Sequence, residues 1–252
     1  MRLICISDTH TKHREVFKDL KKYVNQNDFN LLIHAGDISF RGSQNEVTQF
    51  MYDLMDIDYM DMKIFIAGNH DLCFEDINKP HHRGDFDWFH HLMNEENLMQ
   101  SNCEYLEDKH IIIKQPNLSR PIKIYGTPWQ PEFHNWAFNL PRNGWELEVK
   151  WNEIPEDTDV LITHSPPYGY GDYVLTNERV GCELLRNRVE QIKPLVHVFG
   201  HIHEGYGVNV KDKTIFANAS VCNRYYMVTN QPHIIDINEV YGEIIATHIY
   251  AE

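Results

Sequence analysis

The sequence predicts an α/β protein in which two mixed β-sheets lie together with helices outside, and three observations carry that prediction. Short apolar runs with the length of buried strands recur along most of the chain. Several are followed by stretches whose apolar residues are spaced as in a helix, the βα repeat of a parallel sheet. Beyond residue 205 the helical spacing stops, and short strands succeed one another across turn residues.

The composition fits a folded globular chain, with 42% hydrophobic and 24% charged residues. No linker, internal repeat or low-complexity tract divides it, so residues 1–252 read as one domain. With 23 Lys and Arg against 37 Asp and Glu, the formal charge is −14 at pH 7. Such a field repels polyanions, which argues against extended nucleic acid as a partner. A small anionic substrate remains compatible if bound divalent cations dominate the local potential. Cys5, Cys73, Cys103, Cys182 and Cys222 are odd in number and lack a Cys-x-x-Cys spacing, so they read as free thiols in a reducing compartment. The apolar run 3–6 is too short for a signal sequence and no later run has membrane-spanning length, so a cytoplasmic protein with no membrane partner is expected.

The elements follow in order. A strand over 3–6 leads into Ser7-Asp8-Thr9-His10-Thr11, where Asp8 and His10 are two apart and share a face of extended chain. Val16, Phe17, Leu20 and Tyr23 predict an amphipathic helix over 13–23. A second strand over 31–35, containing the core histidine His34, ends in Gly36-Asp37 and is followed by Phe40 and Arg41. After a predicted helix over 45–60, a third strand over 63–67 runs into Gly68-Asn69-His70-Asp71. Residues 72–100 are irregular. Their histidines, His81, His82, His90 and His91, lack the cysteine and carboxylate partners of a structural zinc site and read as an exposed or substrate-facing loop.

Residues 104–106 and 110–114 predict a hairpin, and 121–125 a further strand. The segment after it holds Trp129, Phe133, Trp136 and Phe138 among prolines, a pattern that serves both core and pocket wall. A helix over 145–154 precedes a strand over 159–163 that ends in His164. A helix over 178–192 precedes a strand over 194–199 that ends in Gly200-His201-Ile202-His203. The tail, with strands over 206–210, 214–217, 234–237 and 243–250, reads as antiparallel.

The strand ends thus collect Asp8, His10, Asp37, Asn69, His70, His164, His201 and His203, more donors than a single ion requires. Carbonyl or carboxylate oxygens with several imidazoles suit two ions that share a bridging carboxylate, and paired ions about 3.5–4 Å apart recur in phosphate-ester hydrolysis.

The ordered set Asp8-x-His10, Gly36-Asp37, Gly68-Asn69-His70-Asp71, His164 and Gly200-His201-x-His203 resembles the calcineurin-like metallophosphoesterase superfamily. Residues 124–131, Arg179-Val180-Gly181-Cys182 and residues 199–207 are similar to its metallophosphoesterase-domain branch of phosphodiesterases. The resemblance implies the calcineurin-like metallophosphoesterase fold, a sandwich of two mixed sheets flanked by helices. It implies two divalent ions, manganese first, with iron, zinc, nickel or cobalt as alternatives. Asp8, His10 and His203 would hold one ion, Asn69, His164 and His201 the other, and Asp37 would bridge them. His70 would contact the phosphate and protonate the leaving oxygen as a metal-bridging hydroxide attacks phosphorus in line. Asn69 and Arg41 would also meet the substrate, a small phosphodiester such as a 2′,3′- or 3′,5′-cyclic nucleotide. Phosphomonoester or nuclease activity at the same site is the alternative. A non-catalytic interaction module is a further one, although such a module has no physical reason to keep all seven ligand positions in coordinating types. In one place the chain departs from the phosphatase relatives: Phe40 stands where they carry an Asp that orients the histidine. Asp71 or a backbone carbonyl is therefore expected to orient His70, and Asp71 joins the candidate catalytic residues.

Overall fold

Strand alternation sets the layers. In β1 (Arg2–Ile6), Leu3 and Cys5 point to one face and Ile4 and Ile6 to the other, and all four are fully buried. A strand buried on both faces needs a layer on each side. The computed structural model describes residues 1–75 and 87–250, so His81 and His82 of the histidine-rich stretch lie outside the described residues.

In chain order the elements after β1 are α1 (His13–Leu20), β2 (Asn30–Ala35), α2 (Gln44–Met55), β3 (Met62–Ile66), α3 (Asp87–Leu92), α4 (Glu95–Gln100) and β4 (Cys103–Tyr105). Then come β5 (Lys109–Ile113), β6 (Ile122–Thr127), the short β7 (Gln130–Pro131) and β8 (Asn139–Leu140), α5 (Trp145–Asn152), β9 (Val160–Thr163), α6 (Glu183–Ile192) and β10 (Val196–Phe199). The last four are β11 (Gly207–Lys211), β12 (Thr214–Asn218), β13 (His233–Val240) and β14 (Glu243–Ile249).

Two mixed six-stranded sheets result, ordered β14-β13-β1-β2-β3-β4 and β11-β12-β10-β9-β6-β5. Between them lies a core to which Leu3, Leu31, Ile33 and Ile64 contribute from the first sheet and Ile124, Val160, Ile162 and Val198 from the second. On the outer face of the first sheet, Ile4, Leu32 and Phe65 pack with Val16, Phe17 and Leu20 of α1 and Val47, Phe50 and Leu54 of α2. On the outer face of the second, Tyr125, Leu161 and Phe199 pack with Leu147 and Trp151 of α5 and Leu185 and Val189 of α6. This is the expected sandwich of two mixed sheets flanked by helices. No helix among the described residues is long and apolar enough to cross a membrane.

Several local expectations change. Within the stretch expected to be irregular, residues 87–92, with His90 and His91, form α3 and residues 95–100 form α4. The predicted hairpin does not form, because β4 pairs parallel with β3 in the first sheet whereas β5 pairs antiparallel with β6 in the second. The chain changes sheets there: Leu106 is fully buried between the layers and its N–H still donates to the Phe65 carbonyl (3.0 Å). The tail is antiparallel except at β12, which lies parallel to β10 and extends the row of strands that serves the site. Helix α2 ends at Met55 instead of running to 60. The buried Lys63 ammonium reaches the carbonyls of Ile57 (2.6 Å) and Met55 (3.4 Å), satisfying groups that continuing turns would have used. Helix α6 starts at Glu183, not 178, since the preceding loop is held by the buried Asp172 carboxylate, which pairs with Arg179 (2.7 Å) and accepts from the Gly181 N–H (3.2 Å).

Strands β1, β2 and β3 are mutually parallel, as are β9, β10 and β12. Their carboxyl ends meet at one rim, where ligands gather in open α/β sheets. Bonds between the strand ends shape this rim: Val221 N–H to the Ser7 carbonyl (3.0 Å) ties the second sheet to the first, while Asp8 N–H to the Gly36 carbonyl (2.9 Å) and Gly200 N–H to the His164 carbonyl (2.9 Å) join neighbouring strand ends within each sheet.

Candidate metal centre

At the rim each strand releases its polar residue through a sharp change of backbone direction. Asp8 (φ 55°), His10 (φ 39°), Asp37 (φ 56°) and His201 (φ 67°) all sit in the left-handed region, which costs a residue with a Cβ about 1–3 kcal/mol and collects at functional sites. Two glycines of the motifs are explained by crowding. A Cβ on Gly68 would stand 2.2 Å from an Asp37 carboxylate oxygen, and one on Gly200 would stand 2.0 Å from an oxygen of Asp8.

The structure brings the predicted ligands into two sets. Ligand atoms of Asp8, His10 and His203 lie within 4.8 Å of one another, as do those of Asp37, His164 and His201. In the first set His203 Nε2 is 3.3 Å from Asp8 Oδ1 and 3.2 Å from His10 Nε2. In the second, His164 Nε2 is 3.3 Å from Asp37 Oδ1 and 3.0 Å from Asn69 Oδ1, and His201 Nδ1 is 2.8 Å from Asn69 Oδ1. Asp37 faces both sets, since its Oδ2 lies 3.6 Å from His10 Nε2 while Oδ1 serves His164.

Ligands held about 2.1 Å from one ion would stand about 3.0–3.4 Å apart, and most of these separations lie in or near that range, so the residues of each set could hold a cation between them. The outer nitrogens are anchored too. His10 Nδ1 faces the Ser39 carbonyl (3.2 Å), His164 Nδ1 the Ala35 carbonyl (2.9 Å) and His203 Nδ1 the Asn223 carbonyl (2.9 Å). A proton on Nδ1 satisfies each carbonyl and leaves the Nε2 lone pair aimed inward, as in metal-bound histidines. Asp8 is fixed by the His201 N–H (3.0 Å) and the Ser220 hydroxyl (2.7 Å).

The electrostatics agree with a cation site. Burial works to raise the Asp8 and Asp37 carboxyls, but His203 beside Asp8 and His164 beside Asp37 overcome it and hold both below the usual carboxylate range. Burial likewise opposes protonation of His164 and His203, yet Asp37 and Asp8 lift them to about 9 each. Burial pushes His10 down to about 4 and His201 to about 3, against the pull of the two carboxylates. Two buried carboxylates thus draw two protons onto neighbouring imidazoles where no other cation neutralises them. The donor set fits divalent ions.

His70 stands at the edge of this group, within 4.8 Å of His10 and Asp37 in ligand atoms. Its backbone N–H donates to Asp37 (2.9 Å), and its ring Nδ1 faces the Phe40 carbonyl at 2.8 Å. Of the two orienters expected, the carbonyl is the one present. Asp71 does not act on that ring. A tight turn, closed by its N–H to the Gly68 carbonyl (3.1 Å), directs its side chain inward. There the fully buried carboxylate accepts from the N–H groups of Gly68 (2.8 Å), Ile38 (3.1 Å) and Ser39 (2.9 Å) and from the Ser39 hydroxyl (2.6 Å). Asp71 thereby ties the Asp37 loop to the Asn69 loop, and the orienting contact expected of it with His70 is made by the Phe40 carbonyl instead.

Aromatic rings surround His70. Trp136 stacks on it at 4.2 Å and 28°, and Tyr226 lies 4.8 Å edge-on from His10 and 4.9 Å from Phe40. Arg41 is exposed, with its guanidinium 5.9 Å from the Trp136 ring, so it reaches the site's margin through that ring. Phe138 is core and fully buried, whereas Phe133 is 49% exposed and meets His201 edge-on at 5.5 Å. The aromatic segment therefore supplies both core and wall. Sequence reasoning missed Ser220, Asn223 and Tyr226, although a polar cluster directly after the apolar strand 214–217 repeats the signal that marked the other strand ends.

Comparison with known proteins gives the family of the chain. Residues 1–205 match the sequence pattern of the calcineurin-like phosphoesterase family. The chain is 42% identical over 250 residues to metallophosphoesterase domain-containing protein 1 of Homo sapiens and equally to that of Mus musculus, covering 94% of this chain and 71% of each relative. The fold is shared with phosphopantetheinyl hydrolase from Mycobacterium tuberculosis, with a TM-score of 0.57 at 18% identity over 89% of this chain and 90% of that one. The chain belongs to the calcineurin-like phosphoesterase family, and it is a metal-dependent hydrolase of phosphate esters.

Proposed function

We propose that the chain is a dinuclear metallophosphodiesterase acting on small phosphodiesters, 2′,3′- and 3′,5′-cyclic nucleotides among them. The observation that carries this reading is the Asp37 carboxylate, whose two oxygens face different ligand sets. Asp8, His10 and His203 would hold one divalent cation, Asn69, His164 and His201 the second, and Asp37 both. Such a pair supplies positive charge to a phosphate and lowers the pKa of water. Mixed nitrogen and oxygen donors admit manganese, the first choice, and also iron, zinc, nickel or cobalt.

The chain's own residues complete the reaction. The Phe40 carbonyl keeps the His70 Nδ1 proton in place, so the proton delivered to the leaving oxygen comes from Nε2 of the imidazolium, and a neutral ring remains. Trp136 fixes the plane of that ring. Arg41 adds positive charge at the margin. The five buried, unpaired cysteines support a reducing, cytoplasmic setting, and the charge of −14 favours small substrates over nucleic acid.

The test is hydrolysis of bis(p-nitrophenyl) phosphate and p-nitrophenyl phosphate with manganese. The proposal expects faster turnover of the diester, lost on chelation and in Asp37→Asn. Faster turnover of the monoester would assign the site to phosphomonoesters instead.

A further inference from the structure

Beside the second ligand set the rim opens into a cleft of about 370 Å³, within the range of sites that bind small organic molecules. His201 forms part of its wall, so the cleft begins where the coordinating groups end. Its remaining surface is mostly apolar, with Phe133, Pro131, Pro166 and Ile202 on the lining. Two features of the lining bear on what it could take. Ser165 is 4% exposed, lines the cleft, and its hydroxyl has no hydrogen-bond partner among the described residues, a condition that buried polar groups seldom tolerate unless something else satisfies them. Phe133 meets the rings of His201 (5.5 Å) and His134 (4.3 Å) in T-shaped contacts yet is still half exposed, so part of its ring remains open on the wall beside the metal set.

The charges restrict the occupant further. Arg142 lies on the lining, but its guanidinium is occupied by the carbonyls of Gly181 (2.9 Å) and Val180 (2.6 Å) and by Glu183 (2.9 Å). Glu132 and Glu204 also border the cleft. A second phosphate or another anionic group would meet carboxylates there, and among the described lining residues no free cation pairs with it. A flat, uncharged group with a hydrogen-bonding edge meets an aromatic face and an unused hydroxyl, which both donates and accepts.

Resting on the phosphodiesterase reading above, we propose that this cleft binds the uncharged heteroaromatic group of the substrate, as in a nucleoside ester bearing no further phosphate. Phe133 is its stacking platform and Ser165 Oγ its hydrogen-bonding partner.

The experiment compares the p-nitrophenyl ester of thymidine 5′-phosphate with methyl p-nitrophenyl phosphate on the manganese-loaded protein. The two share a leaving group and differ only in the organic group retained. The proposal expects kcat/KM to favour the thymidine ester in the wild type. The ratio of the two kcat/KM values falls about tenfold or more in Phe133→Ala and about fivefold in Ser165→Ala, while Phe133→Tyr keeps most of it. An equal ratio in the wild type and both alanine variants overturns the proposal. If neither ester is hydrolysed by the wild type, the phosphodiesterase reading fails, and calorimetric binding of thymidine 5′-phosphate decides the cleft. Affinity about tenfold weaker in Phe133→Ala supports it, and equal affinity overturns it.

Discussion

The metal rim and the aromatic wall sit side by side but are built on opposite principles. In the rim, Asp8, His10, Asp37, Asn69, His164, His201 and His203 leave the carboxyl ends of parallel strands, and His10, His164 and His203 are each fixed through Nδ1 by a main-chain carbonyl. In the wall, Phe40, Phe133, Trp136 and Tyr226 come from connections and touch mainly each other and the histidines. On the proposed reading the rim would hold the charge that every phosphate ester requires, and the wall of loop residues would select what is attached to that phosphate. Variants in the two regions should therefore fail differently.

The largest effect is expected in the rim. Loss of an outer partner of a metal ligand costs about 10–100-fold, so Asp37→Asn, which alters a ligand shared by both sets, should lower kcat/KM by more than about 100-fold on every ester. Steady-state kinetics with excess metal checks this. At the boundary, His70→Ala should cost about 100-fold or more on an alkyl ester, whose leaving oxygen needs a proton, and much less on a p-nitrophenyl ester. Equal losses on both would separate His70 from proton transfer. In the wall, Trp136→Ala should lower kcat about tenfold with KM little changed, because it loosens the His70 ring without removing it, and Trp136→Phe should recover part of that loss.

Two effects are matters of binding and stability. His164 and His203, lifted to about 9 by Asp37 and Asp8, carry protons at neutral pH that metal must displace. Manganese affinity should thus rise with pH from 7 to 9, with about two protons released per chain at pH 7, read from calorimetry in buffers of different ionisation enthalpy. Asp71→Asn should lower unfolding stability by about 1–3 kcal/mol, since an amide cannot accept all the donors now aimed at that carboxylate. Its pH–rate profile should match the wild type. Away from the rim, burial holds His197 at about 3 and His233 at about 4, below the ordinary 6.5. Both are neutral when folded and take up protons on unfolding, so the stabilisation is complete above about pH 6.5 and is lost as pH falls toward 4. Denaturant titrations across that range should show the decline, with a shallower slope in His197→Phe.

The same contrast explains what could be read from the chain. Each candidate ligand of the rim follows closely on an apolar strand, so local windows such as Gly68-Asn69-His70-Asp71 make most of the candidate site legible in the sequence. The wall has no such grammar. The carbonyl that orients His70 belongs to Phe40, but every residue has a carbonyl, and nothing in a side chain announces its use. Asp71 misled for a related reason: adjacency to His70 in sequence suggested contact, whereas the turn at Gly68 sends the two side chains apart. The false hairpin around Leu106 arose because strand periodicity does not state which sheet a strand joins. Tyr226, far from the motifs in sequence, reaches the site only because β12 lies parallel to β10 and returns the chain to the rim.

If Asp37 unites two cation sites, the number of ions bound per chain must show it. Manganese bound per chain, counted by elemental analysis after equilibrium titration of wild type and Asp37→Asn, should be two in the first and one or fewer in the second. A single ion in the fully active wild type, or two ions held with unchanged affinity by Asp37→Asn, would rule out Asp37 as the bridge between two cations.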